Sequence, residues 1–173
     1  MQPLSGVCQI TKLNLFTYFL IMPKNKISII KKEDCLSVEH FQLKNIDFFG
    51  KNIWTAKEIC KFITSPKNHL LMAKINNQLV GISFFISNSI DLEIYTIFVE
   101  KDFRKRNIGT NFLASAKEFC RSMPFKRILL EVNEENKNAL KFYAKNNFKQ
   151  IGFKKGYYTS KNNENALLME LGL

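Results

Sequence analysis

The segment that most restricts what this chain can become is Tyr95 to Leu113, YTIFVEKDFRKRNIGTNFL. Tyr95 to Val99 are apolar and of strand-forming types, and a charged turn, EKDFRKRN, follows at once. Beyond it Ile108, Phe112, Leu113, Ala116 and Phe119 recur at the spacing of one helix face. A strand that runs through a basic turn into a helix is suited to holding phosphate. Backbone N–H groups at a helix N-terminus lack partners inside the helix, and the helix dipole favours an anion there. Arg104, Lys105 and Arg106 supply positive charge, and Gly109 lets the backbone come close to a ligand. The same residues also read as a solvated basic turn joining a strand to a helix, and locally both readings stand.

Around this segment the remaining signals alternate between period two and period 3.6. Ile27 to Lys31 reads as a strand and Glu33 to Ile46 as a helix whose apolar positions are only loosely periodic. NIDFFGKNIW follows as an irregular aromatic loop, and Thr55 with Glu58 forms a capping-box pattern opening a second helix that Ser65-Pro66 ends. His69 to Ile75 and QLVGISFFISN are strands joined by Asn76-Asn77, a pair suited to a tight hairpin turn. IDLEIYTIFVE makes the third strand of the meander, and the helix from Ile108 runs to about Met123, before Pro124. Arg127 to Asn133 is a strand, NKNALKFYAKNNF a helix, and FKQIGFKKGYY and NALLMEL close the chain as strands. The order β-α-α-β-β-β-α-β-α-β-β predicts an α+β fold: one mixed, mostly antiparallel sheet of about seven strands flanked by about four helices.

The chain has 173 residues, which suits one domain with its own core, and 16 Phe to fill it. No repeat and no Pro- or Gly-rich linker argues for a second domain. Residues 1–21 read differently. LNLFTYFLIM is a short apolar run without a clustered basic start or a small-residue cleavage site. Met22 then opens MPKNKISII, so 22–173 is expected as the domain and 1–21 as an upstream extension or the product of a mis-chosen start codon, poorly ordered or loosely held on the surface. A targeting segment is the alternative. No apolar run reaches the ~18 residues of a membrane span, so no membrane association is expected.

A net charge of +11 invites a nucleic-acid or acidic partner. Only four of the basic residues are Arg, however, and the lysines are spread along the chain without a recognition motif. A general affinity for acidic surfaces follows, the ribosome's included, without dedicated nucleic-acid binding. Cys8, Cys35, Cys60 and Cys120 form no C-x-x-C pair, and His40 and His69 are isolated. The expectation is no metal, no disulfide scaffold and a reducing, cytoplasmic setting.

Three motifs in register resemble the GNAT family of N-acetyltransferases, and within it the RimI-type ribosomal-protein-alanine N-acetyltransferases. IFVEKDFRKRNIGTNFL resembles the acetyl-CoA pyrophosphate motif [RQ]-x-x-G-x-[GA], here Arg104, Asn107 and Gly109. LEVNEENKNALKFYAKNNF keeps Glu131, Asn136, Ala139 and Tyr143 at RimI-like spacing, and GYYTSKNNENALLMEL carries the Tyr157-Tyr158 pair before the last strand. Trp54 also falls where these enzymes carry it. The resemblance spans Ile27 to Leu171. Two family glycines are replaced, by Asn107 and Asn147; both sites want positive φ, which Asn tolerates, so the loop shapes are expected to survive.

The resemblance implies transfer of acetyl from acetyl-CoA to an amine, with Glu131 as base, directly or through a water, and Tyr143 as acid. It implies a sheet splayed between the strand ending at Val99 and the strand carrying Glu131. Ile97, Phe98 and Val99 would hold the pantetheine arm by backbone groups, Lys105, Arg106, Asn107, Ile108, Gly109 and Thr110 would cradle the pyrophosphate beside Arg104, and Asn136 would touch the cofactor. The implied acceptor is a ribosomal-protein N-terminus, walled by Trp54, Tyr157 and Tyr158, with the enzyme a monomer or weak dimer. Taken alone, Glu131 also reads as a solvated strand-end carboxylate, Tyr143 as a core aromatic, and Tyr157 and Tyr158 as sheet-edge filler. Two other functions stay open. One is the same chemistry on a small-molecule amine or lysine side chain; the other is a non-catalytic acyl-CoA-binding or ribosome-associated module.

Overall fold

The computed structural model describes residues 21–22, 25–121, 123–158 and 164–173; the expectation for residues 1–20 lies outside them. In chain order the elements are β1 (Ile21–Met22), β2 (Asn25–Ile29), α1 (Cys35–Lys44), α2 (Ile46–Phe49), α3 (Ala56–Ile63), β3 (Asn68–Ile75), β4 (Gln78–Ser87), β5 (Asp91–Val99), α4 (Ile108–Arg121), β6 (Arg127–Asn133), α5 (Lys137–Lys145), β7 (Lys149–Tyr158) and β8 (Glu164–Gly172). The strands lie side by side as β1-β2-β3-β4-β5-β6-β8-β7, with only β5 and β6 parallel. This is the α+β, mixed and mostly antiparallel arrangement expected. Two short elements raise the described total to eight strands and five helices. One is β1, where Ile21 and Met22 pair with Lys26 and Asn25. The other is α2, one helical turn inside the aromatic stretch expected to be irregular. Asn45 causes it: its backbone leaves helical geometry at φ −109°, ψ 37°, and its side chain donates to the Phe41 carbonyl at 2.9 Å. The expected helix of 33–46 is thus shortened to α1.

Both sheet faces are covered, which is why β3 and β4 read as near-continuous apolar runs. α4 and α5 cover one face, where Ile108, Phe112, Leu113 and Ala116 meet Ala73, Phe85, Leu92 and Ile128. α1, α2 and α3 cover the other, where Val38, Phe41, Phe49 and Ile59 meet Leu70, Ile82, Phe84 and Phe98. A β-bulge at Tyr95 lets β5 serve both. Phe84 pairs with Thr96 but Phe85 with Ile94, so Tyr95 is the extra residue. Leu92 and Ile94 point to the α4 side, and the extra residue shifts the alternation so that Ile97 and Val99 join them while Phe98 turns to the α1 side.

The local signals hold where the chain carries strong ones. Thr55 Oγ1 accepts from the Glu58 N–H, and the Glu58 carboxylate accepts from the Thr55 N–H, completing the capping box of α3. Asn76 and Asn77 take φ of 48° and 65°, the mirror-image turn that suits a two-residue hairpin. The absence of a disulfide is corrected: Cys35 on α1 and Cys60 on α3 are joined, with Cα atoms 5.9 Å apart. Their 25-residue separation carries no motif, and only the packing of α1 beside α3 brings them together. Cys120 remains a buried thiol, pushed up to about 11 by burial. Among the described residues no group of three His, Cys, Asp or Glu could hold a metal, and no helix is long and apolar enough to cross a membrane.

Candidate active site

β5 and β6 run side by side for four residues and then part. Asp91 to Ile94 pair with Arg127 to Leu130; beyond that, Thr96 to Val99 pair only with β4, and Glu131 to Asn133 only with β8. A gap opens between them, starting at the Tyr95 bulge and at Glu131. Backbone alternation decides which peptide groups face it. The Glu100 N–H donates to Val80 on β4, so Phe98, two residues back, turns its peptide groups to β4 as well. Ile97 and Val99 turn theirs into the gap. The Phe98 ring is enclosed by Phe41, Phe48 and Phe49, with centroids 5.8, 4.4 and 5.1 Å away. Of the three residues expected to line this strand, Phe98 is therefore a core residue, and Ile97 and Val99 are the ones positioned to meet a ligand.

At the far end of β5 the chain enters the basic turn. Lys105 and Asn107 take φ of 59° and 62°, so Asn107 does adopt the conformation expected of a glycine. Asn147 does the same at φ 69°, where the Phe148 N–H reaches back to the Tyr143 carbonyl and closes α5. The first helical bond of α4 runs from the Asn111 N–H to the Asn107 carbonyl. The N–H groups of Ile108, Gly109 and Thr110 thus have no partner inside the helix, which leaves three donors and the positive end of the dipole facing outward. Two of the expected charges are spent on shaping the loop. Arg104 Nε donates to the Val99 carbonyl at 2.9 Å, and the Arg106 guanidinium donates to the Asp102 carbonyl at 3.1 Å while lying 5.2 Å from the Phe103 ring centre. Gly109 has a more immediate role than closeness to a ligand: a Cβ there would lie 3.1 Å from the Phe142 ring, so the glycine admits α5 against the start of α4.

Glu131 leaves β6 on the side opposite Leu130 and Val132, which pack in the α4 and α5 core; Tyr143 belongs to that core and is 8% exposed. The two approach the gap from opposite faces of the sheet. Glu131 is ion-paired with Lys154 and accepts a hydrogen bond from the Tyr157 hydroxyl. Burial alone would raise its carboxyl, but these bonds and the Lys154 charge outweigh burial and hold it below the usual carboxylate range. Tyr157 is pushed up to about 12, first by its bond to Glu131. Burial raises Tyr158, with the Glu131 charge adding to it, and burial also raises Tyr143 well above the phenol range, with Tyr158 adding to it. The Glu131 charge thus bears on both Tyr157 and Tyr158. Gly156, at φ 60°, lies in an irregular stretch of β7 just before the tyrosine pair.

Trp54 stands further along the same wall. Buried Gln42 clamps its backbone from both sides, at 3.2 and 3.1 Å, and its ring packs on Phe62, Phe84 and Tyr95 with centroids 5.0, 5.2 and 5.7 Å away. Asn136 caps α5 by accepting from the Ala139 N–H at 3.1 Å, which leaves its amide NH2 to donate elsewhere. Two residues that sequence reasoning missed now join the site. Tyr95 packs against Trp54, and its signal was present as an exposed aromatic at the start of the key strand. Lys154 had none, because only the β6-β8-β7 register carries it to Glu131.

The comparisons with known proteins agree with this arrangement. The model of the acetyltransferase (GNAT) family matches residues 37–148. The N-alpha-acetyltransferase RimI of Mycobacterium tuberculosis is 28% identical over 115 residues, covering 64% of this chain and 71% of the relative. The crystal structure of the ribosomal-protein-S18-alanine N-acetyltransferase of Escherichia coli shares the fold, with a TM-score of 0.72 at 18% identity over 86% of this chain and 93% of its own. A Bacillus anthracis structure solved with acetyl coenzyme A aligns with a TM-score of 0.60 and 28% identity over 65% of this chain and 66% of its own. A family match over residues 37–148, most of the domain, establishes that this chain belongs to the acetyltransferase (GNAT) family.

Proposed function

We propose that the protein transfers acetyl from acetyl-CoA to the N-terminal amine of a protein, the N-terminal alanine of a small-subunit ribosomal protein being the acceptor that the RimI-type relatives suggest. The observation that carries this reading is the parting of β5 and β6 beyond Ile94 and Leu130, which leaves Glu131 on one strand and Ile97 and Val99 on the other bordering one gap. The chain's own groups fit the donor. Three N–H groups without a partner inside α4 suit a pyrophosphate, and the Ile97 peptide groups and the Val99 N–H suit the amide-bearing arm. Acetyl-CoA supplies the acyl group as a thioester. An N-terminal amine titrates near pH ~8 and is mostly protonated at neutral pH. Glu131, ionised and partly buried, accepts that proton directly or through a water, and Tyr143, held neutral by burial, gives its hydroxyl proton to the departing sulfur. Trp54, Tyr95, Tyr157 and Tyr158 provide an aromatic wall for the peptide. The reading carries with it a cytoplasmic location and a monomer or weak dimer.

The test is acetyl-CoA turnover on the ribosomal protein's N-terminal peptide. Glu131→Gln is expected to lower kcat by ~10²-fold or more, and an unchanged rate overturns the assignment. Faster turnover on polyamines or free amino acids would move the acceptor to a small-molecule amine.

A further inference from the structure

Lys154 Nζ is ion-paired with the carboxylate read as the base. A general base must lie within hydrogen-bond reach of the proton it removes, and the ammonium that Glu131 holds is that of Lys154. The same Nζ lies 5.0 Å from the Tyr157 ring centre, on the aromatic wall assigned to the acceptor. Its side chain is 47% exposed and is not buried as a fixed structural ion pair would be. Its strand reaches the site across β8: Lys154 pairs with Ala166, which pairs with Asn133, two residues beyond Glu131 on β6. An ammonium on a flexible four-carbon stem, seated on the base, is an acceptor analogue built into the chain.

We propose that Lys154 is an intramolecular acceptor, acetylated by the protein's own active site when acetyl-CoA is bound and no peptide occupies the groove. The inference rests on the reading of Glu131 as the base. In the step, the Lys154 ammonium gives one proton to Glu131, which releases it to solvent. The neutral nitrogen bonds to the thioester carbonyl carbon, and the carbon–sulfur bond breaks. The sulfur leaves as the thiol with the Tyr143 hydroxyl proton, and the second proton from nitrogen restores that hydroxyl. The products are an amide on Lys154 and free CoA, with no other reactant. The amide carries no charge, so the modification also removes the cation from Glu131.

The experiment incubates the full-length protein with acetyl-CoA, without acceptor, and follows each of its 22 lysines by peptide mass spectrometry. Lys155, next in the chain and exposed, measures background reactivity. Lys154 is expected to acetylate at least tenfold faster than Lys155, at a rate per molecule that does not change on dilution. Glu131→Gln should bring it down to the Lys155 level, a loss of about 10²-fold if the base acts fully. Lys154→Arg, which keeps the ion pair, should show no adduct at that position while Lys155 acetylates at the background rate of the native chain. Lys154 reacting no faster than Lys155, or just as fast in Glu131→Gln, overturns the inference. The same preparations assayed on peptide separate the two readings: peptide turnover without the Lys154 adduct sinks self-acetylation alone, whereas a Glu131-dependent adduct without peptide turnover sinks the peptide acceptor alone.

Discussion

At one end of the gap between β5 and β6, the groups that suit an anion come from seven consecutive residues, 104–110. At the other, Glu131, Tyr143, Tyr95, Lys154 and the Tyr157-Tyr158 pair come from β6, α5, β5 and β7. The donor end is a local construction: a turn, two positive φ values and a helix start, all written in adjacent residues. The acceptor end exists only after four elements have found their register. It is also the end where side chains share protons and charge, so substitutions there should act on chemistry, and those at the donor end on acetyl-CoA binding.

The largest effect that would break this division is at Tyr143. Tyr143→Phe removes one hydroxyl from a nearly buried ring and keeps its packing on Phe142 and Phe148. It should lower kcat by about 10²-fold, with little change in the KM for acetyl-CoA or in the melting temperature. A fall in acetyl-CoA affinity of the same size would place the hydroxyl on the donor instead.

Next is Asn107. A β-branched side chain at φ 62° is strained by about 1–2 kcal/mol, and every 1.4 kcal/mol is about tenfold in affinity. Asn107→Val should therefore raise the KM for acetyl-CoA by about five- to thirtyfold and leave kcat alone, while Asn107→Gly keeps the loop and the KM. Steady-state kinetics at saturating peptide decide it. A kcat effect from Asn107→Val would mean that the turn reaches the chemistry.

This division explains what could be read beforehand. The capping box at Thr55, the Asn76-Asn77 turn, the Asn107 and Asn147 conformations and the strand from Arg127 to Asn133 all depend on neighbours in the chain, and all are found. The motif resemblance picked out Glu131 and Tyr143, yet nothing in their spacing could reveal Lys154, because an ion pair across β8 leaves no mark on local sequence. The Cys35–Cys60 bond was missed for the same reason. The Tyr95 bulge is an intermediate case. Its run of residues reads as an uninterrupted strand, and only the partner's register reveals the extra residue that sends Phe98 to the core and leaves Val99 at the gap.

A smaller effect joins the two ends. Gly109 lies at the donor end, but the atom a Cβ would crowd is on Phe142, whose ring centre is 5.2 Å from that of Tyr143. Gly109→Ala should push that ring by a few tenths of an ångström, destabilise the fold by about 1 kcal/mol and lower kcat several-fold through Tyr143. Adding Phe142→Leu should restore kcat. If only the KM for acetyl-CoA moves, the helix start and the acid are independent.

The smallest effect, and the one that most sharpens the acceptor end, is the pH response of Glu131. Its carboxyl is held below the ordinary value of 4.5 although burial alone would raise it. A depressed carboxyl stabilises the folded state fully above that ordinary value, and the contribution fades as pH falls through the lower folded one. Lys154→Met removes the cation and one donor but leaves the burial, so the carboxyl must rise. The acid limb of kcat/KM should then shift to higher pH, and the protein should lose some stability above pH ~5, a loss that fades in acid and is modest because Lys154 is half exposed and solvent screens the pair. At neutral pH the variant's kcat on peptide should equal or exceed that of the native chain, since no internal ammonium competes for the base. An acid limb that stays in place would mean the ion pair is not seated on the reacting carboxylate, and the acceptor end would then be no more cooperative than the turn at the start of α4.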